Sequence, residues 1–184
     1  MNAFSGQKTD WIPIEEIYKF TQNFTSVVYA FASCDNKPKK TDWPFMLEEV
    51  FYIGMTGGMK QNHVYDLKNR KKNKGRAETI VHKRMKDHHS KKDGKIKHDW
   101  TQNQIKLGKK IFFCFISPPE NLKKEYSRNW LSMVESENIL NYQQIYGNIP
   151  SLNFAERYDN HKVSIDSVSQ KYISSLKTLD NFFE

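Results

Sequence analysis

The chain has 184 residues, 38% hydrophobic, 14% aromatic and 27% charged, with a formal net charge of +8. That length and composition suit one folded domain with a single sizeable core, and no apolar run approaches the roughly 20 residues that a membrane-spanning helix needs. Residues 1–11 show neither the basic start nor the apolar stretch of a signal peptide, so a soluble protein in the cytoplasm, with no membrane partner, is expected.

In chain order, residues 14–21 predict a short helix, with Ile14, Ile17 and Tyr18 on one side and Pro13 at its start, where a missing N–H costs little. Residues 26–32 (SVVYAFA) alternate as a strand does, with Val27, Tyr29 and Phe31 on one face and Val28, Ala30 and Ala32 on the other. Residues 34–48 carry two prolines and three lysines and read as a loop. Residues 50–54 predict a second strand, ended by the glycines of FYIGMTGG. Residues 75–88 read as a helix with Ala77, Ile80, Val81 and Arg84 on or near one side, and a basic loop over 90–97 ends it. Residues 110–117 (KIFFCFIS) form an apolar strand stopped by Pro118 and Pro119.

Residues 121–142 make the longest helix candidate. At about 100° per residue, Tyr126, Trp130, Met133, Glu137 and Leu140 share a face, and Glu135 points roughly the opposite way. A bare carboxylate is costly to bury. Glu137 is therefore paired, protonated or metal-bound, or else it lies at the exposed end of the stripe in a surface ion pair. Ile165, Val168, Tyr172, Leu176 and Leu179 recur at helical spacing, so residues 164–183 predict an amphipathic helix packed on the core or on a second subunit. The expected fold class is α+β, a small and mainly antiparallel sheet flanked by helices. It divides into an N-terminal arm (1–24), a core (25–155) and a C-terminal helix (156–184). Cys34 and Cys114 form no CxxC pair, so two reduced, half-buried thiols are expected rather than a disulfide or a zinc site.

The charge is concentrated. Residues 60–98 hold 14 Lys and Arg against 4 Asp and Glu, a net +10 that leaves −2 for the rest of the chain. Within the run KNRKKNKGR, Lys68, Arg70, Lys71, Lys72, Lys74 and Arg76 resemble a surface that tracks the phosphates of DNA, where each neutralised phosphate releases a counterion. A solvated lysine-rich face would carry the same letters.

The order of a strand with Tyr29, a strand with Tyr52-Ile53-Gly54, a helix with Arg84, an apolar strand, a helix with Glu137, and then Pro150-Ser151-Leu152-Asn153 resembles the GIY-YIG nuclease superfamily. The first motif keeps its tyrosine in Val27-Val28-Tyr29 but lacks the Gly-Ile. The 22 residues between Tyr29 and Tyr52 make a longer hairpin than most members have. Both features, with Arg84 and His88 four apart on one helix surface, are similar to the restriction-endonuclease branch. His88 could equally cap a helix end, and either tyrosine alone would read as an ordinary sheet aromatic.

The resemblance implies a site for hydrolysing phosphodiesters, which needs an activated water, a cation against the phosphate and help for the leaving 3′ oxygen. Glu137 would hold one Mg²⁺ per site, with Mn²⁺ expected to substitute. Arg84 would clamp the phosphate, and Tyr29 would take a proton from the water, helped toward phenolate by positive charge. Tyr52 and His88 would position base and water, Asn153 would contact the phosphate or tie down the helix of Glu137, and Gly54 would let the chain turn away from the phosphate. The implied function is Mg²⁺-dependent, sequence-specific cleavage of double-stranded DNA of restriction type, with a homodimer suited to a palindromic target. The alternatives are a phage, mobile-element or repair nuclease of looser specificity, and a nucleic-acid-binding module that has lost activity.

Overall fold

Three strands built from the apolar runs carry the molecule. A computed structural model of the chain describes residues 6–17, 19, 24, 26–39, 45–57, 95–153 and 164–183. Its strands are β1 (Gln7–Lys8), β2 (Ile12–Pro13), β3 (Val27–Cys34), β4 (Val50–Thr56) and β5 (Lys110–Ser117). The helices are α1 (Lys95–Lys106), α2 (Ser127–Tyr146) and α3 (Ile165–Phe183), with 3-10 turns at Ile14–Glu16 and Lys124–Tyr126. The sheet runs β1-β5-β3-β4, with β2 also on β5, and every pairing is antiparallel. The fold is α+β, as expected, and no helix among the described residues is long and apolar enough to cross a membrane.

All eight residues of β3 are buried, because it is the middle strand and both sheet faces are covered. Val28, Ala30 and Ala32 join the cluster that contains Trp130, Leu131 and Met133 of α2 and Val168 and Leu179 of α3. Burying a side chain such as Leu131 contributes about 1.5–3 kcal/mol. Val27, Tyr29 and Phe31 lie in the opposite cluster with Phe113, Phe115, Ile17 and Leu152, so the alternation read in SVVYAFA holds along the strand.

β4 departs from simple alternation. Phe31 pairs with Tyr52 but Ala32 pairs with Val50, which leaves Phe51 as a bulge. The extra residue turns both Phe51 and Tyr52 to the Tyr29 side and Val50 to the α2 side. The strand also runs past Gly54 to Thr56, and the positive φ, 88°, falls at Gly57.

The N-terminal arm forms part of the sheet edge. Between β1 and β2 the Phe115 N–H donates to the Thr9 hydroxyl at 3.0 Å, a side chain replacing a ladder carbonyl, and Pro13 is tolerated because this is an edge. Of the helix expected over 14–21, the described residues show a 3-10 turn at Ile14–Glu16 that passes into helical backbone at Ile17 and Lys19. Lys95 to Lys97, expected in a basic loop, open α1. That helix stops at Gly108 (φ 82°), where the Lys109 N–H reaches the Gln104 carbonyl and the Gly108 N–H reaches that of Ile105. α3 packs along α2, with Ile165, Tyr172 and Leu176 beside buried Val168 and Leu179, as core packing requires. Both cysteines are outside any disulfide, and both are buried rather than half-buried. Burial pushes the Cys34 thiol up to about 11 and that of Cys114 well above its ordinary value.

Candidate active site

Tyr29 and Tyr52 come together. Their strands are hydrogen-bonded neighbours, and because Phe31 faces Tyr52 and Tyr29 faces Gly54, both phenols share one side of the sheet. The ring centroids are 6.0 Å apart at 46°. Tyr29 is 1% exposed, whereas Tyr52 is half-buried. Gly54 has a specific part in this. A Cβ there would meet Tyr52 ring atoms at 2.7 Å, so the glycine is the space into which Tyr52 folds back. That role replaces the expected turn away from a phosphate.

Two side chains missed in the sequence complete this face. Lys97 of α1 places its Nζ 3.6 Å from the centre of the Tyr52 ring, a cation on an aromatic face. One turn on, Trp100 packs on Phe51 with centroids 4.1 Å apart. The available signal was the Leu107-Gly108 helix stop. It was hidden because Lys97 lay in a run read as loop.

The two polar ends of the Asn153 side chain are taken up by β4. Its Oδ1 accepts from the Ile53 N–H at 2.8 Å, and its Nδ2 donates to the Ile53 carbonyl at 2.6 Å. The Leu152 N–H donates to the Phe51 carbonyl at 2.8 Å. Residues 152 and 153 thus cover the open edge of β4 just where Tyr52 lies.

The carboxylates are arranged otherwise than expected. α2 lies along β4 through Arg128, whose Nη1 donates to the Gly57 carbonyl at 3.2 Å, Ser132, whose hydroxyl contacts the Met55 sulfur at 3.7 Å, and Tyr142, whose Oη donates to the Glu48 carbonyl at 2.8 Å. Glu135 falls on this same stripe. Glu137 falls on the stripe of Trp130, which reaches the far edge of the sheet, where a Cβ on Gly6 would come 3.0 Å from its ring. The structure therefore does not bring Glu137 to the tyrosines. It is half-buried, its carboxyl is raised by burial, and it has no ion pair or hydrogen bond among the described residues. Glu135, expected to face outward, has a side chain only 12% exposed and pairs with Lys171 of α3.

No family model, curated protein or solved structure matches this chain. The site is read from its own geometry.

For Mg²⁺ the described residues are a poor fit. Glu137 faces away from β4, Glu135 is already neutralised by Lys171, and no group of three or more His, Cys, Asp or Glu that could hold a metal occurs among the described residues. Arg84, His88 and the basic residues Lys68, Arg70, Lys71, Lys72, Lys74 and Arg76 lie outside the described residues, as does the helix expected over 75–88.

Proposed function

We propose that the chain is a DNA endonuclease of the GIY-YIG type, nearest the restriction branch, acting on double-stranded DNA. The observation that carries this reading is the Tyr29–Tyr52 pair, two phenols on adjacent antiparallel strands with centroids 6.0 Å apart and the second seated over Gly54. A phenol ordinarily ionises near pH 10, and positive charge nearby favours its anion. In this mechanism Tyr29 accepts the proton of the attacking water, while Tyr52, carrying Lys97 on its ring, orients that hydroxyl. The water oxygen forms the new bond to phosphorus as the bond to the 3′ oxygen breaks, and that oxygen leaves with its electron pair and takes up a proton from solvent water. Arg84 supplies the phosphate clamp.

The test is digestion of a mixed-sequence plasmid by the full chain, with Mg²⁺ and with chelator. Discrete bands are expected, and their persistence or loss in chelator reads the metal requirement separately from the nuclease activity. A smear would mean looser specificity, and intact DNA would overturn nuclease activity. Tyr29→Phe is expected to slow cleavage by about 10²–10⁴-fold, the range of a lost general base, with DNA binding retained. Tyr52→Phe should cost less. The reverse order would exchange the two roles.

A further inference from the structure

At the start of β4, on the side away from Gly54, a cleft of about 370 Å³ opens between β4, the last turns of α1 and the C-terminal end of α2. That size falls in the range of small-molecule sites, roughly 300–1,000 Å³. Its lining combines four aromatic residues, Phe51, Trp100, Tyr142 and Tyr146, with the carboxylates of Glu48 and Glu49 and the amide of Gln104, and among the described residues it includes no Lys, Arg or His. In a chain with 29 Lys and Arg, a cleft whose described lining is acidic and aromatic, with no basic side chain, is a selective environment.

The walls are fixed. Tyr142 donates to the Glu48 carbonyl at 2.8 Å, its ring lies 4.7 Å from that of Tyr146, and Gln104 accepts from the Ser33 hydroxyl at 3.2 Å. The field is negative. Tyr142 is pushed up to about 12 by burial first, with Tyr146, Glu48 and Glu49 adding, and Tyr146 is raised by burial and then by the same two carboxylates. Aromatic faces attract cations through their quadrupole, and two carboxylates do so by charge. A phosphate would be repelled.

We infer that this cleft binds an organic cation, an ammonium or guanidinium group on a short chain. The inference goes beyond the nuclease reading, and no cleavage enters its test.

The experiment is isothermal titration of the full chain at low salt with butylguanidine, with its neutral analogue butylurea, and with a capped Gly-Arg-Gly peptide. Saturable one-to-one binding of butylguanidine is expected, with a dissociation constant of about 1 mM or below, and none of butylurea. Glu48 and Glu49 are exposed, so the double variant Glu48→Gln/Glu49→Gln should fold and weaken binding about tenfold or more, and Tyr146→Leu several-fold. Glu120→Gln, beside Gln7 at the far side of the sheet, should bind as the wild type does. Binding of the peptide as well would identify an arginine side chain as the natural source, and binding of butylguanidine alone a free amine or guanidine. Equal binding of butylurea, undiminished binding in the double variant, or no heat at about 10 mM ligand would overturn the inference. So would a tight Ca²⁺ site abolished by the same double variant.

Discussion

Gly54 stands opposite Tyr29 and beneath the ring of Tyr52, and its lack of a side chain is what lets the two phenols share one face. Gly54→Ala would place a methyl group 2.7 Å from Tyr52 ring atoms, and such overpacking costs about 1–3 kcal/mol. The cost should nearly vanish in a Tyr52→Ala background, because the ring that clashes is gone. Urea unfolding of the two single variants, the double variant and the wild type reads this coupling, and additive costs would show that the glycine is needed for another reason. Glu137 gives a prediction of opposite sign. Burial raises its folded-state pKa, so the stability it contributes is present below the ordinary carboxylate value of about 4.3 and is lost as pH rises through the raised value. Glu137→Gln should therefore match the wild type near pH 3.5, below that ordinary value, and be the more stable protein at neutral pH. Equal urea midpoints at neutral pH would mean that the carboxylate is fully solvated.

Asn153 secures an element rather than a ligand. Its amide satisfies both backbone groups of Ile53 on the open side of β4, so Asn153→Ala should cost about 1–3 kcal/mol. Asn153→Asp sets a carboxylate oxygen against the Ile53 carbonyl in place of the 2.6 Å donor. That variant should be the less stable of the two at neutral pH and should recover in acid, where a protonated carboxyl can donate again. Urea midpoints at pH values on either side of the carboxylate range, referred to the wild type at each pH, check this. The same edge shows what the sequence could reveal. β3, β5 and α3 were legible because each carries a clean pattern: alternation in SVVYAFA, a continuous apolar run in KIFFCFIS and a single stripe in the last helix. α2 was legible as a helix but not in its facing, because Trp130, Leu131, Met133, Val134, Ser136, Asn138, Ile139 and Tyr142 are buried all round it, between the sheet and α3. A helix buried on every side has no one stripe to read, so its wheel could not tell which of Glu135 and Glu137 faces β4. α1 was hidden by its composition, since Lys97, Trp100 and Gln104 make its contacts in a stretch dense with polar residues. The Phe51 bulge left no mark in the sequence pattern.

At the scale of the whole molecule the charge is uneven along the sequence, with +10 in residues 60–98 and −2 in the remainder. If the basic segment tracks the backbone, log affinity should fall linearly with log salt, by about 0.9 for each phosphate neutralised. Only part of the segment can lie along one duplex, so a slope of roughly −4 to −7 is expected, reduced by about one unit for each contacting lysine removed. Binding measured at several salt concentrations, in Ca²⁺ to hold back cleavage, gives the slope directly. Replacing Lys71, Lys72 and Lys74 together with glutamine should weaken binding and flatten the slope by about two to three units. A surface that is merely lysine-rich predicts no change in either quantity, so an unaltered slope in that triple variant would remove the backbone-tracking role. The double variant Glu48→Gln/Glu49→Gln is the counterpart, and it should raise affinity slightly at low salt while leaving the slope as it was, because carboxylates away from the phosphates release no counterions.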